Sequence, residues 1–448
     1  MIKNKNKVPE IQVGIISCNE ISITLNGNFL ERSGQLIPAG RWLVKIISVR
    51  MTLINGEQKF EFESGVLFTP ENRDSSFIVH SVTIGVDFHW QRKEDQVFNG
   101  NLKLIAEEDK LTVVNVLSVE DYLISVISSE MKATASVDLL KAHAVISRGW
   151  LLAQIEKRIL LGVNSAKYKT SFITEDEIVR WYDREDHSSF DVCADDHCQR
   201  YQGITRASTP AVRKVVEETS GEILMHNGAI CDTRYSKCCG GMTEIFENAW
   251  EPVNHPYLQR VIDNPDSETR YDLNMNNEEN ARKWIIGNPH SFCNTSDKNI
   301  LSQVLNDYDQ ETNDFFRWKV VYEQVELSSL VRNRTGIDFG SIENIVPLER
   351  GASGRIIRLK ISGSKKTMII GKELEIRKAL SKTHLYSSCF IVEKNVNEKN
   401  TTFVFHGAGW GHGVGLCQIG AAVMGSKGYS YREILSHYFR GAVIEKLY

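Results

Sequence analysis

The sequence lacks several features that would each point to a special class of protein. It has no stretch near the roughly 20 consecutive apolar residues that a membrane-spanning helix needs. It has no excess of one charge, since 53 Lys and Arg face 57 Asp and Glu, so we expect no nucleic-acid partner. It has no low-complexity tract and no internal repeat. With 42% hydrophobic and 25% charged residues, the composition predicts a soluble globular protein with a real core.

The amino terminus also lacks a recognisable secretory signal. MIKNKNKVPEIQVGIIS begins with basic residues, but only a handful of apolar residues follow before charge returns. That is too short and too interrupted for a signal peptide. Either the signal has been removed, or the chain is exported by another route, or it is cytosolic. These residues leave the compartment open.

The periodicity of apolar residues changes twice along the chain and predicts an α+β fold. Residues 8 to about 117 contain β-branched runs separated by polar turns, which indicates antiparallel strands. From Ser118 the spacing becomes helical, with one helix ending near 128–132 and a second beginning near Ser136. Strands return from residue 316, and Ser430 with Glu433 predicts a capping box before a last short helix.

The length of 448 residues is about three times the roughly 150 of a typical domain, so two or three domains are expected. We predict an N-terminal β-rich domain followed by a mixed α+β region with a cleft. The predicted boundaries are 1–111 for the β-rich domain and 112–448 for the mixed region. The mixed region is divided into 112–262 (helix pair, metal loop and double glycine), 263–340 (a variable segment) and 341–448 (strands and a glycine-rich segment).

Glu130 is the residue best suited to acid/base chemistry. It lies at the predicted carboxyl end of the first helix, where the helix dipole presents partial negative charge. That position, together with burial against Met131, would raise its pKa and suit it to donate a proton. An ordinary solvent-exposed glutamate at a helix end is the alternative. Taken alone, Arg148 reads as a surface arginine and His143 as a packed or half-exposed histidine.

Cysteine and histidine cluster between residues 187 and 198. The chain has nine cysteines, an odd number that cannot all pair internally, and two thiols with two imidazoles match the donors that zinc prefers. We predict a site formed by His187, Cys193 and Cys198. Its fourth ligand is water, His197, Cys238 or Cys239. Reduced surface thiols, or a disulfide between Cys193 and Cys198, are the alternatives.

Two glycine-rich segments follow. Gly240 and Gly241 permit close approach of the backbone to a neighbouring strand or to a ligand. The segment GAGWGHGVG, at 407–415, lacks the Lys-Ser/Thr ending of a phosphate-binding loop and the βαβ context of a dinucleotide fingerprint, so we reject nucleotide binding. Trp410 and His412, which alternate with its glycines, better suit a wall on which a sugar ring stacks.

Four segments, in order along the chain, resemble the SpoIID/LytB family, which is named for a stage II sporulation protein and an amidase enhancer. The first is the helix pair NVLSVEDYLISVISSEM and LLKAHAVISRGWLL. The others are ETSGEILMHNGAICDTRYSKCCGGMTE, LERGASGRIIRLKISG and HGAGWGHGVGLCQIGAAVMGSKGYSYREILSHYF. The resemblance covers about 112 to 448 and is weaker between 263 and 340.

The resemblance to the sporulation branch implies a lytic transglycosylase that cuts peptidoglycan glycan strands in the periplasm or cell envelope. Glu130 matches the acid/base glutamate, and Arg148 matches an arginine that would hold Glu130 or bind the sugar. His187, Cys193 and Cys198 occupy places comparable to a zinc site, which implies a structural zinc. The residues assigned to substrate binding are Tyr235, Ser236, Lys237, Trp410, His412 and Gln418.

One glutamate suffices for this reaction, because the substrate's own 6-hydroxyl attacks and leaves a 1,6-anhydro end, so the carboxylate pair of a hydrolase is not needed. Two other functions stay open. One is a non-catalytic binder that stimulates an N-acetylmuramoyl-L-alanine amidase, and the other is a zinc-dependent amidase. The chain departs from the family in its β-rich segment before residue 112 and in its thiols at Cys238 and Cys239, where small hydroxyl residues are usual.

Overall fold

The computed structural model describes most of the chain. The described residues are 7–47, 50–85, 91–107, 110–132, 134–163, 170–182, 187–195, 197–205, 209–264, 270–304, 314–398 and 400–448. Among them, no helix has the length and apolar character needed to cross a bilayer.

The strands fall into an N-terminal set and a later set, and they confirm the predicted α+β class. The N-terminal strands are β1 (Glu10–Cys18), β2 (Glu20–Asn26), β3 (Phe29–Glu31), β4 (Leu36–Ile37), β5 (Gly40–Ile47), β6 (Arg50–Asn55), β7 (Gln58–Phe62), β8 (Gly65–Pro70), β9 (Ser76–Ile84), β10 (Arg92–Phe98), β11 (Asn101–Glu107) and β12 (Lys110–Ser118). The later strands are β13 (Ser171–Ile173), β14 (Glu177–Arg180), β15 (Val192–Cys193), β16 (Glu222–His226), β17 (Ala229–Ile230), β18 (Tyr235–Ser236), β19 (Arg317–Glu323), β20 (Ile342–Arg350), β21 (Ile356–Gly363), β22 (Thr367–Gly371), β23 (Phe390–Val396), β24 (Thr401–Ala408), β25 (Leu416–Cys417) and β26 (Val443–Lys446).

The helices lie after the N-terminal strands. They are α1 (Val119–Glu130), α2 (Val137–Val163), α3 (Pro210–Glu218), α4 (Glu278–Ile286), α5 (Lys298–Val304), α6 (Gln324–Thr335), α7 (Glu373–Ala379), α8 (Gln418–Ser426) and α9 (Tyr431–Tyr438), with a short 3₁₀ turn at Phe246–Asn248.

The predicted starts of α1, α2 and α9 are confirmed. Each start has a capping residue close to it in sequence, which is why it could be predicted. The Ser118 Oγ accepts the backbone N–H of Asp121 at 3.1 Å, and the Ser136 Oγ accepts that of Leu139 at 3.2 Å. At the start of α9, Ser430 and the helix's glutamate form both hydrogen bonds of a capping box.

The N-terminal strands form two sheets that pack face to face. Among the described residues, the strand orders are β15-β1-β12-β11-β8-β3-β4 and β10-β9-β2-β5-β6-β7. Strand β2 shows the expected alternation, with Ile21, Ile23 and Leu25 buried and the residues between them partly exposed. Trp42 of one sheet and Val113 of the other belong to a single buried core.

The same core continues into the helix pair. Strand β12 runs directly into α1, and the buried residues Leu123 and Leu140 of α1 and α2 share the core with the sheets. The predicted domain boundary at residue 111 falls inside β12, which lies between β1 and β11. The β-rich part and the helix pair therefore bury their apolar faces against each other.

The later strands position the glycine-rich segments. Sheets of order β13-β14-β22-β21-β20 and β19-β24-β23 enclose a second core that includes Trp318, Phe390 and Phe403. A short parallel pair, β18 with β25, places Tyr235 beside Leu416. The segment before the double glycine thus lies next to the start of α8.

Glycine is required at position 240 because the backbone there crosses close to the backbone of the glycine-rich segment 407–415. Cys238 and Trp410 form an isolated antiparallel bridge. A Cβ at Gly240 would lie 2.8 Å from the backbone N of Gly409, and a Cβ at Gly409 would lie 2.8 Å from the carbonyl O of Cys238. Both glycines also have positive φ, 78° and 77°. Of the two predicted alternatives for Gly240, the structure shows approach to a neighbouring segment.

We predict that Gly240→Ala destabilises the protein more than Gly228→Ala. Both glycines have a φ of 78°, so each alanine costs about 1–2 kcal/mol for left-handed backbone. Only Gly240 adds a backbone clash, since nothing lies within 4 Å of a Cβ at Gly228. The clash adds about 1–3 kcal/mol. Denaturant unfolding measures the difference, and equal losses in both variants would contradict the crossing.

Candidate active site and metal cluster

Glu130 is the last residue of α1, as predicted, and is half-buried between the buried residues Ser129 and Met131. In the described part of the chain its carboxylate makes no hydrogen bond or ion pair. The backbone N–H of Met131 closes the helix by donating to the carbonyl of Ile127 at 2.9 Å. The carboxylate is therefore placed at a helix end and is available to a ligand.

The end of α5 connects Glu130 with the predicted substrate-binding segment at 235–237. Two residues after Glu130, the backbone N–H of Lys132 donates to the carbonyl of Gln303 at 2.9 Å. The Nζ of Lys237 donates to the carbonyl of the adjacent Val304 at 2.6 Å. Consecutive carbonyls of α5 thus receive hydrogen bonds from both segments, which brings Glu130 and Lys237 to one region.

His143 packs against Tyr235 and Gln418, next to the region shared by Glu130 and Lys237. It is fully buried on α2, its ring meets that of Tyr235 edge-on at 4.7 Å, and its Nε2 lies 3.3 Å from the Nε2 of Gln418. Burial, reinforced by the positive charge of Lys237, lowers the pKa of His143 to about 3. The imidazole is therefore neutral at physiological pH and acts as a packed hydrogen-bonding group.

Two predicted substrate-binding residues lie inside the protein. Gln418 is 2% exposed and its amide faces His143, so the prediction of direct sugar contact through Gln418 is wrong. Ser236 is also buried, and its Oγ has no hydrogen-bond partner within the described residues. Tyr235 and Lys237 are half-buried and remain candidates for substrate contact.

Trp410 and His412 are half-buried and contact other aromatic rings. The indole of Trp410 lies 4.7 Å from the ring of Phe315 and 4.3 Å from that of Tyr386. The ring of His412 lies 4.9 Å from that of Trp250. Protein rings therefore already cover part of the indole, which restricts the predicted sugar stacking to the remaining surface.

His412 is held uncharged by its surroundings. Removal of the ring from water, together with the guanidinium groups of Arg234 and Arg355, keeps the pKa of His412 well below its ordinary value. Its Nδ1 accepts the backbone N–H of Val414 at 3.0 Å. His412 thus fixes the turn of the glycine-rich segment.

Arg148 does not contact Glu130, so the prediction that it holds this carboxylate is wrong. The guanidinium is fully buried and donates to both carboxylate oxygens of Glu120, at 3.0 and 2.7 Å, and to the carbonyl of Glu222 at 2.9 Å. Glu120 lies in the first turn of α1 and Glu130 ends it, about 15 Å further along the axis. Arg148 positions the start of the helix and is inaccessible to a sugar.

The predicted metal ligands do converge. The Sγ of Cys198 lies 3.5 Å from the Nε2 of His187 and 3.5 Å from the Nδ1 of His197. The Sγ of Cys193 lies 3.9 Å from the same Nδ1. Tetrahedral zinc with bonds of about 2.0–2.3 Å separates its ligands by about 3.3–3.8 Å. The donor types and their spacing therefore fit zinc.

Of the protein side chains predicted as a fourth ligand, His197 lies at the cluster. His187, Cys193, His197 and Cys198 offer ligand atoms that all lie within 4.8 Å of one another. His197 and Cys198 face the same point although they are adjacent. Cys238 and Cys239 are buried elsewhere, so they are wrong as ligands of this cluster. The hydrogen bond from the Cys198 thiol, with help from the imidazoles, lowers the pKa of the Cys193 thiol.

The loop that carries these residues, 187–198, contacts both the N-terminal sheet and α1, although it follows α2 in the sequence. Its strand β15 pairs in parallel with β1. Immediately after the loop, the Oε1 of Gln199 accepts the Tyr122 hydroxyl at 3.3 Å, and the backbone N–H of Gln202 donates to the Oγ of Ser125 at 3.2 Å. A metal in this loop would therefore brace the helix that ends in Glu130.

Sequence reasoning missed Glu120 and the supporting role of His143. Glu120 stands in the first turn of a helix, where an acidic residue is ordinary because it faces the positive end of the helix dipole. Its Oε1 also accepts the backbone N–H of Gly221 at 3.1 Å and the hydroxyl of Tyr448 at 2.6 Å. These partners are distant in sequence, so no local pattern indicates them.

Two family models match this chain. Residues 107–226 match the stage II sporulation protein family, and residues 244–415 match a domain of unknown function. Glu130 and the Cys/His cluster lie in the first match, and Trp410 and His412 lie in the second. Tyr235 to Lys237 and Gln418 lie in neither.

Three curated relatives are similar over most of the chain. An uncharacterized protein of Brachyspira hyodysenteriae is 27% identical over 78% of this chain and 72% of its own length. The amidase enhancer of Bacillus subtilis is 24% identical over 71% of this chain, which spans 39% of that longer relative. The stage II sporulation protein D of Bacillus amyloliquefaciens is 22% identical over 74% of this chain and 76% of its own length.

The chain joins a strand-rich N-terminal part to a helix pair that carries a glutamate and a Cys/His cluster. The sporulation-protein match, together with the relatives named amidase enhancer and stage II sporulation protein D, supports the predicted resemblance to the SpoIID/LytB family.

We predict that Arg148→Met lowers the free energy of unfolding by about 3–5 kcal/mol, because it leaves the partly buried Glu120 carboxylate unpaired. The matched control is Arg432→Met. Arg432 is 57% exposed and pairs with Glu222, so its loss should cost no more than about 1 kcal/mol. Denaturant unfolding measures both variants. Similar small losses would mean that the buried pair does not hold α1.

We predict that His197→Ala lowers zinc affinity about as much as His187→Ala, by at least about tenfold, since losing an outer-shell partner alone costs 10–100-fold. The control is His226→Ala, because His226 is half-buried outside the cluster. Competition with a chromophoric chelator measures the affinities. Unchanged affinity in His197→Ala would assign the fourth position to another ligand.

Proposed function

We propose that this protein is a peptidoglycan lytic transglycosylase of the cell envelope, with Glu130 as its single acid/base residue. The observation that carries the proposal is the placement of Glu130. Its carboxylate ends α1, is half-buried and has no ion pair in the described part of the chain. Its segment shares the end of α5 with Lys237.

The reaction needs one group that first donates a proton and then accepts one. Protonated Glu130 donates to the glycosidic oxygen between N-acetylmuramic acid and N-acetylglucosamine, and the bond from that oxygen to the muramic acid carbon breaks. The resulting carboxylate stabilises the oxocarbenium-like state by its charge. It then accepts the proton of the muramic acid 6-hydroxyl as that oxygen attacks the same carbon. Glu130 is protonated again, and the product carries a 1,6-anhydro ring.

The surrounding groups are suited to holding a sugar chain. Lys237 presents a cation whose Nζ is anchored on the carbonyl of Val304, and Tyr235 rests on His143. Such residues would orient the muramic acid so that its 6-hydroxyl lies near the anomeric carbon. Correct orientation converts the attack into an intramolecular step of high effective concentration.

Zinc would have a structural role in this proposal. His187, Cys193, His197 and Cys198 supply four protein ligands, and a site with four protein ligands leaves no open position for water. This donor set argues against a zinc-dependent amidase, which needs an open position. The ion would fix the loop that packs on Tyr122 and Ser125 of α1.

A second candidate is a peptidoglycan-binding protein that stimulates an amidase. The observation in its favour is the similarity to a relative named an amidase enhancer. In that case the partners would be glycan strands and an amidase, and Glu130 would not be needed for function.

We expect Glu130→Gln to abolish the release of anhydro-ended fragments from denuded glycan strands. Loss of general acid catalysis costs about 10²–10⁴-fold, and mass spectrometry of the products measures it. The control is Glu217→Gln, because Glu217 is an exposed glutamate on α3 and should leave the rate unchanged.

The outcomes separate the two candidates. Equal release of anhydro products by Glu130→Gln and the unchanged protein would overturn the catalytic assignment. Unchanged glycan in every sample, with retained binding and stimulation of an added amidase, would favour the enhancer.

A further inference from the structure

A second group of metal-ligand residues lies inside the protein, apart from the loop at 187–198. Cys239, Asp263, Cys293 and Cys417 are all buried, and they offer ligand atoms that lie within 4.8 Å of one another. They come from four separate segments. Cys239 precedes the double glycine, and Asp263 lies between the 3₁₀ turn and α4. Cys293 lies between α4 and α5, and Cys417 ends β25, directly before α8.

The spacing suits shared coordination better than a covalent link. The Sγ atoms of Cys239 and Cys293 are 3.6 Å apart. Two thiolates on one tetrahedral zinc lie about 3.8 Å apart when each bond is about 2.3 Å, whereas a disulfide needs about 2.05 Å. The backbone N–H of Cys239 also donates to the Sγ of Cys417 at 3.2 Å, a contact that stabilises a metal-bound thiolate.

The buried carboxylate is the second observation that points to a cation. Asp263 is fully buried and accepts hydrogen bonds from the backbone N–H of Cys293 at 2.9 Å and from the Tyr438 hydroxyl at 2.7 Å. Within the described residues, the ion-pair contact of Asp263 is with His437, whose Nε2 lies 3.8 Å from Oδ1, beyond hydrogen-bond distance. Buried carboxylates are normally paired with a charge or bound to a metal.

A positive side chain, that of Arg317, lies near the thiols. Its guanidinium donates to the carbonyl of Gly240, the residue after Cys239, and to the carbonyls of Gly287, Phe316 and Trp284. Within the described residues it has no carboxylate partner. An anionic metal–thiolate centre would therefore lie near a cation that has carbonyl and aromatic contacts but no carboxylate partner in the described part of the chain.

We propose that Cys239, Cys293, Cys417 and Asp263 form a second, structural zinc site. Binding releases the three thiol protons to solvent, so that three thiolates and one carboxylate surround the ion. Soft sulfur donors with a single oxygen donor favour zinc over magnesium or calcium. The site joins the turn after β18 to the start of α8, so it lies beside the strand that carries Tyr235 and the helix that begins with Gln418.

The deciding experiment counts metal in the full-length protein purified without chelator. Mass spectrometry for metals should find two zinc ions per chain in the unchanged protein. The double variant Cys193→Ser with Cys198→Ser removes the first cluster and should retain one. Its cobalt-loaded form should show thiolate-to-cobalt charge-transfer absorption, because the remaining site still supplies three sulfur ligands.

Further variants test whether the zinc ion retained by the double variant is bound by Cys293. Adding Cys293→Ser to that double variant should remove the ion and the absorption. Adding Cys389→Ser instead should keep both, since Cys389 is a buried thiol whose partner is the carbonyl of Ser353. Near-ultraviolet circular dichroism reports whether each variant folds. If Cys293→Ser does not fold, the metal count of the double variant still decides.

No metal and no sulfur-to-cobalt absorption in the folded double variant would overturn the proposal. Intact mass would then identify what replaces it. A loss of two hydrogens that maps to Cys239 and Cys293 would mean a disulfide, and an unchanged mass would mean a packed group of reduced thiols.

Discussion

The buried ion pair between Glu120 and Arg148 is the interaction on which the rest of the structure depends. Arg148 is fully buried on α2, and its partner begins α1. The same carboxylate also holds Gly221, before β16, and Tyr448, the last residue. Removing one partner would leave a charge in a poorly hydrated site, which costs several kcal/mol. The pair therefore fixes the direction of α1 relative to three distant parts of the chain.

The position of Glu130 follows from that constraint. The start of α1 is fixed by Glu120, its middle by the residues after the metal-ligand loop, and its end by the hydrogen bond from Lys132 to α5. The segment 235–237 is fixed by the close crossing of Gly240 and Gly409 and by the pairing of β18 with β25. In the proposed reaction, a carboxylate on such supports would lose little freedom when substrate binds, and preorganisation of this kind accelerates reactions.

Sequence patterns predicted the local features well, since caps and periodicity depend on nearby residues. Ser118 and Ser136 marked the starts of α1 and α2, and the close spacing of His187, Cys193 and Cys198 marked a Cys/His cluster. Contacts between distant segments were beyond such patterns. Glu120 is 28 residues from Arg148, and Cys239 is 54 residues from Cys293. Arg148 was consequently assigned to the wrong carboxylate, and Gln418 was expected at the surface although His143 holds it inside.

In the proposed reaction, the substrate's own hydroxyl, and not water, replaces the glycosidic oxygen. Digestion of denuded glycan strands in water labelled with oxygen-18, followed by mass spectrometry of the new ends, tests it directly. We expect anhydro ends without label, because no water oxygen enters the product. Labelled reducing ends would show hydrolysis and would rule out a transglycosylase.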